Sequence, residues 1–309
     1  MKTLILALLF ASVALVTPLA AQTSAPSGAP ARAAGQILAT RVRGNVSVTD
    51  TLTGVTSALH DGDKLTEKHT VTTSKTGAVI LIFSNGATVS VTEDSVLSIE
   101  EFQQDPFSGP VKVSDLKNEP TTSITKLNMT RGDLVGKVVH LNIDGGSEFT
   151  VVTPVGAAGI RGTTFEITFR PDGNGGAVFS LRTSDGRVVF GTVALPVSVP
   201  AGQQISTVVQ VNTSPDGTVT PTTPIAGTMT TVNIPAADLV VISAAAQAIV
   251  DTVTNTNVTL TTTNITTTST TTSQGTTTTT TTTTTTNTPS TPLPPVKITT
   301  VGDGTSTGT

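Results

Sequence analysis

The sequence predicts an all-β fold, a sandwich or a short β-solenoid of short strands, followed by a low-complexity, disordered Thr-rich tail. Three observations predict it. Between residues 36 and 212, short apolar runs are separated by Gly, Asp and Asn turns at close spacing. One run, Ala78 to Phe83 (AVILIF), is continuously apolar and passes through Ser84-Asn85-Gly86 into alternating Ala87, Val89 and Val91; Asn-Gly between such runs is a strong hairpin signal. In the last 59 residues, thirty-one are Thr, with an unbroken run from Thr276 to Thr286.

The elements follow in order. Lys2 and the apolar run Leu4 to Val16, ended by Thr17-Pro18 and small residues, read as an export signal over 1–21, cleaved near Ala21–Gln22. This places the product in the periplasm or outside the cell. Residues 22–35 are Ala/Pro/Ser/Gly-rich and read as a flexible lead-in. The β-domain spans 36–212. Its strands are expected at 37–48, broken by Gly44-Asn45, then at 78–83, 87–91, 96–99, 135–143, 149–153, 164–169, 177–183, 188–191 and 197–204. Residues 105–122 are polar, carry Pro106, Pro110 and Pro120, and read as an insertion. Residues 213–235 are a Thr/Pro-rich linker, and 236–250 (AADLVVISAAAQAIV) form the one helix candidate. The tract 251–309 has too little bulky apolar surface to offset the entropy of ordering it, although the β-propensity of Thr leaves self-association open. No second apolar stretch reads as long enough to cross a membrane, so no integral span is expected after cleavage.

Composition excludes several functions. With 17 basic and 21 acidic residues and no basic cluster, the chain lacks the footprint of a nucleic-acid binder. There is no Trp and no Tyr, which removes the usual stacking platforms for bases and sugars. There is no Cys, so thiol catalysis and Cys-ligated metals are excluded and stability rests on buried apolar area.

The segment Val152-Thr153-Pro154-Val155-Gly156-Ala157-Ala158-Gly159-Ile160-Arg161-Gly162-Thr163-Thr164-Phe165 resembles the V-x-T-P-x-G-x-A-x-V-R-G-T-x-F motif of the FecR-type periplasmic domain family. Weaker matches precede it in the family's order. They are Leu59-His60-Asp61-Gly62-Asp63-Lys64-Leu65, Val71 to Ala78, Phe83 to Val89, Glu93 to Leu97, and Gly132-Asp133-Leu134. The resemblance covers about Gly44 to Gln204. It implies an extracytoplasmic module that contacts protein partners. Founding members carry an anti-sigma region and a membrane span before this domain; here only Met1-Lys2-Thr3 precede the apolar run, so the expectation is the extracytoplasmic module alone.

Arg161 is the candidate binding residue, with Gly159, Gly162 and Thr163 shaping its turn. Its guanidinium suits a partner's carboxylate; the competing reading is an internal salt bridge to Glu166 or Glu148. No catalytic, cofactor-binding or metal residue is nominated. Ser114-x-x-Lys117 and Ser123-x-x-Lys126 lack the helix and the companion motifs that Ser-x-x-Lys chemistry needs. His60, His69 and His140 are the only histidines, and His60-Asp61-Gly62-Asp63 reads as a turn rather than a metal site. Glu100 and Glu101 are expected on opposite faces of a strand. The sequence therefore points away from an enzyme. It points to a module that binds an envelope protein or glycan, or alternatively to a structural envelope or matrix component displayed on a Thr-rich stalk.

Overall fold

A computed structural model describes residues 32–108, 110–191, 196–214, 219–222, 229–256, 258–273 and 276–290. The expected signal segment, most of the lead-in, much of the linker and the last part of the tail lie outside them. Fourteen principal strands build the β-domain. They are β1 (Ile37–Arg43), β2 (Val46–Asp50), β3 (His69–Thr73), β4 (Ala78–Phe83), β5 (Thr88–Val91), β6 (Val96–Gln104), β7 (Ser123–Lys137), β8 (Glu148–Thr153), β9 (Gly156–Ile160), β10 (Thr164–Pro171), β11 (Gly176–Asp185), β12 (Arg187–Gly191), β13 (Val197–Pro200) and β14 (Gln203–Thr213). Short two- and three-residue strands extend the edges.

The strands form two sheets. One runs β1-β4-β5-β7-β10-β11-β14, antiparallel throughout. The other runs β2-β3-β6-β7-β8-β9-β12-β13, antiparallel except between β7 and β8. Strand β7 belongs to both. Its first half pairs with β6 and β8, its second half with β5 and β10, and through it the two sheets are joined. The architecture is a barrel-like sandwich whose strands turn corners between sheets.

β7 bends at Gly132. Its φ of 107° is a conformation L side chains rarely adopt, and a Cβ there would lie 2.0 Å from Ser95 Oγ. The chain changes sheet again between β9 and β10, between β11 and β12, and between β13 and β14.

The interior is apolar, and it consumes the aromatics. Seven of the nine Phe are fully buried (Phe83, Phe102, Phe149, Phe165, Phe169, Phe179 and Phe190), so they serve packing rather than a binding surface. Phe83 meets Phe102 edge-on at 5.1 Å, and Phe179 stacks on Phe190 at 4.8 Å; each pair joins a strand of one sheet to a strand of the other. The AVILIF strand is buried on both faces save for Ile80, as its continuous apolarity predicts.

Four features differ from the sequence reading. First, the strand expected over 135–143 is shifted: only Val135 to Lys137 of it is strand. β7 begins at Ser123 and ends at Lys137, and beyond it the backbone leaves the ladder, Val138 N–H donating to Thr163 O at 2.9 Å. Second, Ala33 and Ala34 pair with Gln104 and Gln103, so the lead-in's last residues extend the sheet edge. Third, the helix α1 runs Ala236–Thr256, past the expected end at 250; at 21 residues, with a most apolar stretch of mean hydropathy 1.6, it is long and apolar enough, by length and composition, to cross a membrane. Fourth, the Thr-rich tract, expected as an extended, disordered tail, pairs its backbone with itself over the described residues. β15 (Thr259–Ser273) and β16 (Thr276–Ser290) form an antiparallel hairpin, the self-association that Thr propensity left open.

The polar stretch after β6 receives this C-terminal part. Val111 and Lys112 pair with Leu260 and Thr259, and a 3₁₀ turn at Val113–Asp115 follows. Leu38, Ile82, Phe107, Val113, Val253, Val258 and Leu260 form a second, smaller core.

Candidate functional site

Arg161 stands on the corner where the chain leaves β9 in one sheet and enters β10 in the other. The corner is rigid for identifiable reasons. Gly162 has φ of 70°, and a Cβ there would lie 2.5 Å from His140 Nδ1 and 3.2 Å from His140 Cα. Only glycine fits that approach. Thr163 is buried, and its carbonyl accepts the Val138 N–H. Gly159 is different: a Cβ there would meet Val189 O at 3.7 Å, an ordinary contact, so the close approach belongs to Gly162 alone.

The arginine itself is exposed and forms no ion pair among the described residues. The internal salt bridge considered from sequence is absent. Glu166 is bound by Arg182 at 2.8 Å; Arg182 also holds Asp238 at 3.1 Å and Gln204 at 2.9 Å. Glu148 is exposed on β8.

Two more basic side chains emerge beside this corner, which sequence reasoning missed because they lie 21 and 44 residues upstream. His140 packs against Gly162, and its backbone N–H donates to Lys117 O at 3.0 Å. Lys117, His140 and Arg161 thus sit on three neighbouring chain segments, all exposed and without an acidic partner among the described residues.

The Lys117 segment is fixed from beneath by Glu119. This buried carboxylate accepts the Asn142 N–H at 2.7 Å, the Ser123 hydroxyl at 2.7 Å and the Ser147 hydroxyl. Glu119 N–H donates to His140 O at 2.9 Å. Ser123 Oγ also accepts from Asn85 Nδ2, tying the network to the Asn-Gly hairpin.

The other candidate chemistries resolve into structure. Ser123 is buried and donates to Glu119, while Lys126, three residues along the strand, is exposed and pairs with Glu100 at 2.7 Å. Ser114 lies in the 3₁₀ turn and donates to its neighbour Asp115. In the HDGD turn, Asp63 accepts the His60 N–H and Asp61 accepts the Val42 N–H. No group of three or more His, Cys, Asp or Glu that could hold a metal occurs among the described residues.

Glu100 and Glu101 correct the sequence reading. A β-bulge opposite Lys126 inserts Glu100 as an extra residue, so both carboxylates line one groove of about 600 Å³. The hydrogen bond from Lys126 holds Glu100 below its ordinary value, outweighing partial burial.

Residues 69–189 match the family model described as FecR protein. Two crystal structures of a candidate anti-sigma factor from Parabacteroides distasonis ATCC 8503 are similar to this chain. They are 13% and 14% identical, each covering 55% of this chain and 62% of its own, with a TM-score of 0.36. The chain thus spans less than two thirds of their length. No curated protein matches. The matched segment runs from β3 into β12 and encloses the Arg161 corner.

Proposed function

We propose that this chain is an exported, non-catalytic FecR-domain protein whose Lys117–His140–Arg161 corner binds an acidic segment of an envelope protein. FecR proteins are typically envelope-associated and regulatory, which supports this class. One observation carries the reading: Arg161 is an exposed guanidinium without an acidic partner among the described residues, held on a turn whose backbone is over-determined by Gly162, His140 and Thr163. A fixed guanidinium loses little freedom on taking up a carboxylate bidentately, and charge-assisted bonds are about twice as strong as neutral ones. A protein is favoured over a glycan because the chain has no Trp or Tyr on which sugars could stack.

The experiment is a pull-down from native envelope extract with the full chain and with Arg161→Glu as baits. One or two partners retained by the first and lost by the second support the reading. The same partners on both baits overturn it.

A structural role is the second reading, and the self-paired Thr hairpin β15–β16 favours it. Deleting residues 251–309 should leave a binder active and disable a scaffold.

A further inference from the structure

The outer face of α1 is apolar and uncovered. Ala237, Val240, Val241, Ala244 and Ala248 are exposed on one stripe, Val240 by 68% and Val241 by 63%. Only 22% of the helix's most apolar stretch is buried. The opposite side is held down, with Ile242, Ile249 and Val253 buried and Asp238 bound to Arg182. The helix therefore lies along the domain rather than standing free of it.

No Lys or Arg occurs between Arg187 and Lys297, so the helix brings no cation of its own. The sheet supplies them. Arg41 and Arg43 on β1 line a groove of about 460 Å³ against Ala245, Ala248 and Asp251. Both are exposed and neither makes an ion pair among the described residues. An apolar stripe flanked by two available guanidiniums thus opens on one side.

We infer that this face docks on a membrane surface bearing anionic phospholipid, with α1 lying in the interface plane and Arg41 and Arg43 on headgroup phosphates. Charge selects the occupant. A second copy approaching the stripe would bring the same arginines. It offers one acid in return: Asp238 is held by Arg182, and only Asp251, in the same groove as the arginines, stands without a cationic partner among the described residues. An anionic leaflet supplies phosphate and apolar depth together. Neither signal suffices alone: two valines and some alanines give a short apolar footprint, and two arginines give a weak electrostatic one. Their combination is what holds peripheral proteins reversibly.

The test is co-sedimentation of the full chain with vesicles of phosphatidylcholine alone and of phosphatidylcholine with about 30% phosphatidylglycerol, at low and at high salt. Wild type should bind the anionic vesicles, not the neutral ones, and release at high salt. Arg41→Glu/Arg43→Glu and Val240→Ser/Val241→Ser should each lower the partition by about tenfold or more. Arg41 has a left-handed backbone (φ 55°), so Arg43→Glu alone serves as the second charge variant should the double substitution disturb the strand. Arg161→Glu should leave vesicle binding unchanged, which separates this surface from the partner corner. Three results would overturn the inference. One is no binding by wild type. Another is equal binding by all variants, which would assign it to the apolar run at 4–16. The third is a dimer lost in Val240→Ser/Val241→Ser without vesicle binding, which would make a second copy the occupant.

Discussion

At the scale of single residues, Arg161 and its neighbours separate a proposed binding group from the residues that hold the fold. Arg161→Ala removes no ion pair, so its melting temperature should match wild type, in line with surface substitutions that stay within about 0.5 kcal/mol; differential scanning calorimetry checks this. Glu119→Ala strands two hydroxyls and one N–H in the interior, and should cost about 3 kcal/mol or more in urea unfolding, with Glu119→Gln milder. Glu100 gives a pH signature. Its folded value is depressed by Lys126, so the stability it contributes is present above the ordinary glutamate range and lost as pH falls through the folded value. Glu100→Gln should therefore be slightly less stable than wild type at neutral pH and converge on it in acid, as paired thermal melts would show. The sequence already displayed Arg161 between two glycines. It could not show which glycine mattered, because the close approach is to His140, a residue distant in the chain. Glu100 and Glu101 were misplaced for a related reason: a bulge adds one residue to a strand, and period-two reasoning has no sign of it until the partner strand is known.

At the scale of elements, local chemistry was the readable part. The buried AVILIF strand, its Asn-Gly hairpin and the PDGNGG and SDG turns all stand where the residues indicated. What failed was continuity. Val139, Leu141 and Ile143 keep an alternating pattern but pair with nothing as a strand, because the chain there follows the corner formed by Thr163 and Lys117. The sharing of β7 between sheets was equally hidden. Its bend rests on Gly132, and Gly132→Ala should lower stability by about 3 kcal/mol or more, since the new methyl meets Ser95 while the backbone keeps an unfavourable φ; chemical denaturation of the variant measures it.

At the scale of the whole described unit, the polar stretch after β6 and the C-terminal elements complete one another. Composition marked 105–122 as an insertion and the end of the chain as a separate material. In the structure they meet through Phe107, Val113, Val253, Val258 and Leu260, a cluster invisible to any window of sequence because its members lie about 150 residues apart. Leu260→Asp places a carboxylate in that cluster. It should release the C-terminal hairpin to proteases while leaving the main melting transition unchanged, as limited proteolysis followed by mass spectrometry would show. The same junction has a mechanical meaning. Among the described residues, β15 pairs with the domain over only two ladder rungs, beside a bond from Val113 N–H to Val258 O, whereas β11 and β14 share eight rungs. Tension on the Thr-rich end loads the weak fastening first. The hairpin should peel away at low force, and α1 should follow, while both sheets keep their register: the tail would act as a breakaway tether that yields before the load reaches the β-domain.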